Sequence, residues 1–189
     1  MSAVIVTDGA FAQLLLEQMV RQHPLLRSRE LRVSDAGEWS GAQSKARTIL
    51  VLKHQPVALV ADAGAFEPEG ITEQRCFLEW GLEQVAPRHR WRVILLIPQV
   101  EGLLFRNERL LRALVEDMPS FEQTIRARYE PRRVFAELMR HEGRRSLPAV
   151  LPQRLAQAEL MPLWALPEFL PLESFLLEKS AAQQPPALP

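Results

Sequence analysis

Three acidic residues follow or close apolar runs that are typical of buried strands. Asp8 comes after AVIVT, Asp62 closes VALVAD, and Glu101 lies shortly after WRVILLIP. If these runs are parallel strands, their carboxyl ends meet at one edge of a sheet, where ligands bind in open α/β folds. Carboxylates gathered there suit Mg2+, which prefers oxygen ligands. The sequence therefore predicts a divalent-metal site at this edge, with an ordinary Asp-Gly turn as the alternative at Asp8.

The loop ADAGAFEPEG, which begins at Ala61, weakens that prediction. Gly64 stands where a second carboxylate after Asp62 could have completed a ligand pair. Glu67 and Glu69 offer replacement carboxylates, but a flexible loop is a poor substitute for a strand end. We therefore expect any Mg2+ binding to be weak.

Three other residue types, cysteine, histidine and tryptophan, are considered for packing or surface positions. Cys76 is the single cysteine, which excludes an internal disulfide and a multi-cysteine zinc site, and we expect it in the core with Trp80. The histidines show no metal-ligand spacing, so surface positions are favoured for them. Trp39, in the run GEWSG, is predicted to lie in a loop, where packing, a lid and a partner contact all stay open.

Around these residues the chain alternates between strand and helix patterns as far as residue 118. The predicted strands span 3–7, 31–34, 57–62 and 91–98. The predicted helices span 10–22, 41–55, 71–86 (with Thr72 as N-cap) and 101–118. Apolar strands without alternation are buried on both faces, as in parallel sheets covered by helices. The expected fold is three-layer α/β with a mainly parallel four-stranded sheet, over residues 1–118.

A different composition begins after Pro119. Residues 121–145 are helical and basic in pattern, and 148–189 hold eight of the fifteen prolines together with many large apolar residues. Exposed Leu, Phe and Trp need cover, so we expect a helical, Pro-rich extension over 119–180 that packs on the domain or on a partner. Residues 181–189 are predicted to be a flexible tail.

Arginines cluster in this extension, and two interpretations stay open for them. They could contact phosphates of a nucleic acid, or form a solvated or partner-binding face interleaved with glutamates, which we favour. The residues are Arg126, Arg128, Arg132, Arg133, Arg140, Arg144 and Arg145.

Overall charge and hydropathy limit the function classes. The formal net charge is zero, so global electrostatics do not predict nucleic-acid binding. No run of 18 apolar residues exists, so no membrane span is expected, and MSAVIVTDGA is typical of a first strand rather than a signal peptide. A cytoplasmic protein is the default expectation.

Three stretches together resemble a known fold. VTDGAFAQLLLEQMV, DAGAFEPEGITEQRCFLEWGL and RVILLIPQVEGLLF are similar, in order, to the small Toprim domains related to OLD-family nucleases. The resemblance implies a general acid/base at Asp8, where the family has Glu, and a Mg2+ ligand at Asp62. Gly64 stands where the family has its second Asp, and it contributes no ligand. The resemblance places Glu101 close to the metal.

The damaged motif favours a non-catalytic derivative of this fold. The resemblance implies a subunit of a DNA-repair or phage-defence assembly that works with an ABC- or SMC-type ATPase and meets nucleic acid through that complex. The alternative is a Mg2+-dependent nuclease acting through Asp8, Asp62 and Glu101. A flavodoxin-like or receiver-like domain is a third possibility, although a receiver would need more acids after its first strand and a Lys after LLIP.

Overall fold

A parallel four-stranded sheet forms the centre of the computed structural model, which describes residues 3–141 and 149–181. The strands are β1 (Ala3–Thr7), β2 (Leu31–Asp35), β3 (Val57–Asp62) and β4 (Trp91–Leu96). Their order is β2-β1-β3-β4, with β1 paired to β2 and β3, and β3 paired to β4. Every residue of β1 is buried, and so are the first five of β3, as their unbroken apolar runs predict. The predicted fold class is confirmed.

Helices cover both faces of this sheet. They are α1 (Ala10–Gln22), α2 (Trp39–Thr48), α3 (Pro68–Glu83), α4 (Gly102–Phe105), α5 (Glu108–Leu114), α6 (Phe121–Arg126), α7 (Pro131–His141), α8 (Leu151–Gln157) and α9 (Leu170–Ala181). Helices α2 and α3 enclose one apolar cluster against β1, β3 and β4. Helix α1 and the helices after β4 enclose a larger cluster on the opposite face. The three layers follow from these two cores. Among the described residues, no helix has both the length and the apolar character needed to cross a membrane.

The C-terminal helices complete the larger core. The five apolar residues that the sequence predicts to need cover are all buried there: Leu151, Leu155, Trp164, Phe169 and Phe175. Helix α9 packs against β1, β3 and β4, and the Trp164 indole N–H donates to the carbonyl of Met19 in α1 at 3.3 Å. The described part of the extension therefore shares its apolar core with the sheet.

A buried histidine joins the first helix to the last. His23 is 3% exposed, so its predicted surface position is wrong. Its Nδ1 accepts the backbone N–H groups of Leu25 and Leu26, at 3.2 and 3.1 Å. The proton must then lie on Nε2, which donates to Glu173 Oε1 at 2.8 Å. The ring therefore satisfies backbone N–H groups in the turn that follows α1, and it anchors α9.

Replacing His23 with alanine should lower the free energy of unfolding by about 2–3 kcal/mol, because two backbone N–H groups and Glu173 lose their partner. Urea unfolding measures this, with His89→Ala at an exposed position as the control, expected within about 0.5 kcal/mol. Limited proteolysis should cut the described C-terminal helices faster in His23→Ala than in wild type. Equal unfolding midpoints for the two variants would contradict the anchoring role.

Several local predictions are wrong in their details. Helix α3 begins at Pro68, and Thr72 lies within it, where its hydroxyl donates to the Pro68 carbonyl. The predicted helix 101–118 is two helices, α4 and α5, and 121–145 contains α6 and α7. The predicted helix 41–55 is α2 followed by a π-helical turn, Ile49–Lys53. Cys76 is exposed and Trp80 is 61% exposed, because both lie on the outer side of α3.

Candidate functional site

The carboxyl edges of β1, β3 and β4 bring three acidic residues together. Asp62 is the last residue of β3, which lies between β1 and β4 in the sheet. Asp8, just after β1, accepts the backbone N–H of Asp62 through Oδ2 at 2.9 Å. Asp62 in turn accepts the N–H of Val100, beside Glu101, through Oδ1 at 2.8 Å. The strand order therefore places the predicted acids side by side, as expected where parallel strands end at one edge of a sheet.

A guanidinium group lies between two of these acids. Arg132, in the first turn of α7, donates from Nε to Glu101 Oε1 at 3.0 Å and from Nη2 to Asp62 Oδ2. Its backbone N–H donates to the Gln99 side chain at 3.3 Å. The Glu101 side chain is 5% exposed and that of Asp62 10%, whereas that of Arg132 is 50% exposed. Arg132 thus supplies, from solvent, the positive charge for two buried carboxylates.

One cation does not balance the three carboxyl groups. The pKa of Asp62 is raised from 3.8 to about 7, chiefly by burial and then by the charges of Asp8 and Glu101, with Arg132 opposing. Burial also raises the pKa of Asp8, although the hydrogen bond from the Asp62 N–H and the charge of Arg132 both act to lower it. Within the described residues, Asp8 Oδ1 and Glu101 Oε2 are buried and have no hydrogen-bond partner. The site therefore holds excess negative charge.

The arrangement does not fit a bound metal ion as it stands. No group of three or more His, Cys, Asp or Glu residues in the described ranges is placed to hold one. Arg132 fills the space that a cation shared by Asp62 and Glu101 would need. The metal set of Asp8, Asp62 and Glu101 stays a prediction.

The backbone conformation at position 64 favours glycine. Its φ is +64°, in the left-handed region that glycine adopts without strain, and its N–H donates to the Pro98 carbonyl at 2.9 Å. A Cβ at this position would meet nothing within 4 Å. The turn after β3 therefore explains a glycine here, while leaving room for a side chain in the space beside it.

A cleft of about 710 Å3 opens beside the three strand ends. Its lining includes Asp8, Asp62 and Arg132. Trp39 and Phe77 also line it, with ring centroids 5.6 Å apart in an edge-to-face arrangement. Trp39 begins α2 instead of lying in the predicted loop, and it is 45% exposed. The sequence left its role open, and the structure places it in the cleft wall.

The arginine cluster is largely paired with acids where the structure describes it. Arg126 donates to Glu137 at 2.7 and 3.1 Å, and Arg133 pairs with Glu130 and with Glu137. Arg128 is exposed. The side chain of Arg140 and the whole of Arg144 and Arg145 lie outside the described residues. Nucleic-acid or partner contact by this cluster stays a prediction.

No protein-family model and no curated protein matches this sequence. A solved structure does match the fold. The chain resembles the C-terminal region of the Burkholderia pseudomallei OLD protein. The TM-score is 0.58 at 11% sequence identity, over 95% of this chain and 97% of that one. At this identity the likeness shows the fold alone, and its coverage includes helices that follow the sheet. The OLD-related fold expected from the sequence is thus supported.

Proposed function

We propose that this protein is a non-catalytic, Toprim-like subunit of a DNA-repair or phage-defence assembly, partnered by an ABC- or SMC-type ATPase. The likeness to the C-terminal region of an OLD protein supports the OLD-related fold on which this proposal rests. The observation that carries the non-catalytic part is the guanidinium of Arg132 between Asp62 and Glu101.

The chemistry of Arg132 differs from that of a metal ion. A guanidinium keeps its protons in proteins. It cannot bind a water molecule and lower the pKa of that water, as a metal ion does. Mg2+ needs a near-octahedral set of oxygen ligands at about 2.0–2.1 Å. To admit Mg2+, the side chain of Arg132 would have to leave both acids, and Gly64 would add no ligand. In this arrangement Asp62 and Glu101 bind Arg132 and thereby hold helix α7 in place.

A Mg2+-dependent nuclease acting through Asp8, Asp62 and Glu101 is the second candidate. The excess of buried negative charge at the strand ends favours it, since raised carboxyl pKa values are common at functional sites. Arg132 is half-exposed, so its side chain has room to move into solvent.

Calorimetric titration with Mg2+ and Mn2+, together with a DNA-cleavage assay, separates the two candidates. We expect no saturable heat up to about 10 mM metal and no cleavage by the wild type, because the cation position is filled. The double change Asp8→Glu with Gly64→Asp should bind metal more tightly, since it lengthens one carboxylate and adds another. Strain at the positive φ of residue 64 will offset part of that gain, although Asp tolerates this region better than most residues.

Asp62→Ala is the matched control for this experiment. Cleavage by the wild type that Asp62→Ala abolishes would overturn the non-catalytic proposal in favour of the nuclease. Unchanged metal binding in the double variant, both with Arg132 present and with Arg132→Gln added to clear the cation position, would argue against a Toprim-like arrangement of the strand ends.

A further inference from the structure

The cleft beside the strand ends is lined mainly by negative charge. Four carboxyl groups face it, from Asp8, Glu38, Asp62 and Glu73, against the single guanidinium of Arg132. Arg132 is already engaged by two acids. Within the described residues neither Glu38 nor Glu73 has an ion pair, and Glu38 only accepts a hydrogen bond from Ser40 at 2.9 Å. A ligand of this cleft must therefore bring positive charge.

Two aromatic side chains in the lining of the cleft offer surface to such a ligand. Trp39 and Phe77 are 45% and 49% exposed, although each has the other as an edge-to-face neighbour. A cation over an aromatic face is attracted by the ring quadrupole, and the planar guanidinium of arginine stacks there best. Gly37 and Gly64 also border the cleft, and a Cβ on either would meet nothing within 4 Å. The space beside both glycines is therefore open.

We propose that this cleft binds a cationic side chain, with arginine as the best match, presented by a protein partner. The inference rests on the proposed function, because it assigns partner recognition to the cleft beside the proposed non-catalytic site. The guanidinium would stack on Trp39 and pair with the exposed carboxylates of Glu38 and Glu73, which line the cleft. A nucleic-acid backbone is disfavoured here, because its phosphates would meet the same carboxylates.

An NMR titration of the full chain tests the proposal. The probe is the peptide Ac-Gly-Gly-Arg-Gly-Gly-NH2, and its citrulline counterpart has nearly the same shape without the charge. We expect the arginine peptide to shift the Trp39 indole N–H resonance saturably, and the citrulline peptide to bind at least about 5-fold more weakly. Trp39→Ala, followed through the backbone N–H resonance of Gly64 in the cleft lining, should weaken binding of the arginine peptide by about 3- to 10-fold, as a cation–aromatic contact predicts.

Two further variants guard the interpretation. Trp80→Ala removes an exposed tryptophan that does not line the cleft, and it should change affinity by less than about 2-fold. Glu73→Gln removes charge without touching the aromatic wall, and it should also weaken binding. The inference is overturned by equal binding of the two peptides, by equal effects of Trp39→Ala and Trp80→Ala, or by single-stranded oligothymidylate shifting Trp39 where the peptide does not.

Failure of this inference is distinguishable from failure of the proposed function. Metal binding and cleavage by the wild type overturn the non-catalytic proposal. Absent peptide binding in a protein that also binds no metal overturns only the partner chemistry assigned to the cleft.

Discussion

Replacing Arg132 with glutamine should lower the free energy of unfolding by about 2–3 kcal/mol at pH 8. Asp62 and Glu101 would keep their burial and lose their shared cation, and an uncompensated buried charge is strongly destabilising. The expected loss is below that of a fully buried pair, because Arg132 is half-exposed and water already weakens its interactions. At pH 5 the loss should be smaller, since Asp62, with a pKa of about 7, is then mostly protonated. Urea unfolding at both pH values measures it.

The neighbouring Arg133→Gln is the control for this variant. Arg133 pairs with Glu130 and Glu137 at the surface, with its side chain 69% exposed, so its loss should change stability by less than about 0.5 kcal/mol. If Arg132 is what keeps metal out, 10 mM Mg2+ should stabilise Arg132→Gln and not the wild type. A Kd of about 1 mM would give about 1.4 kcal/mol. Equal stabilisation of both proteins would contradict the role given to Arg132.

Replacing Asp8 with asparagine should stabilise the protein at pH 8 by about 1–2 kcal/mol. Asp8 is a partly buried carboxylate whose pKa is raised by burial, and its charge also raises the pKa of Asp62. Asparagine keeps an oxygen that can accept the Asp62 N–H. As pH falls, the raised pKa favours the protonated form of Asp8 in the folded state, so the difference between the variant and the wild type should shrink.

The pH dependence of the wild type has a definite sign. A carboxyl group whose pKa is raised on folding binds more protons in the folded state, so its contribution to stability falls as pH rises. For Asp62 this contribution is complete below pH 3.8 and is lost by about pH 7, and it is on the order of 4 kcal/mol. Asp8→Asn should flatten the upper part of this slope. Asp117→Asn, at an exposed position, is the control, and an unchanged slope in Asp8→Asn would show that the two acids are not coupled.

Much of the fold could be predicted because strand burial leaves a direct mark on the sequence. AVIVT and VALVAD coincide with β1 and β3, since strands buried on both faces are mostly apolar. Helix ends were less predictable. The predicted helix 101–118 is interrupted where Asn107 caps a new helix by accepting the N–H of Leu110, a local choice that apolar spacing does not reveal.

The acids of the site were found from sequence because parallel strands deliver their carboxyl ends to one edge. The sequence indicated Arg132 only as one of seven clustered arginines. Its pairing with Asp62 and Glu101 could not be predicted, because these partners lie 70 and 31 positions away and no periodicity links them. The aromatic wall was missed for a similar reason. Phe77 has the helical spacing of a core residue but lies half-exposed beside Trp39, and only the packing of α2 on α3 brings the two rings together.

The position of α9 has a consequence for how the chain acquires its structure during synthesis. Ribosomes add about 5–20 residues per second, so α9 follows the end of β4 by on the order of 4–15 s. Until α9 has been synthesised, it cannot cover the face of β1, β3 and β4 on which it packs in the folded protein. Nascent chains halted shortly after β4 should therefore bind chaperones that recognise apolar segments, and should release them once the last helix has emerged.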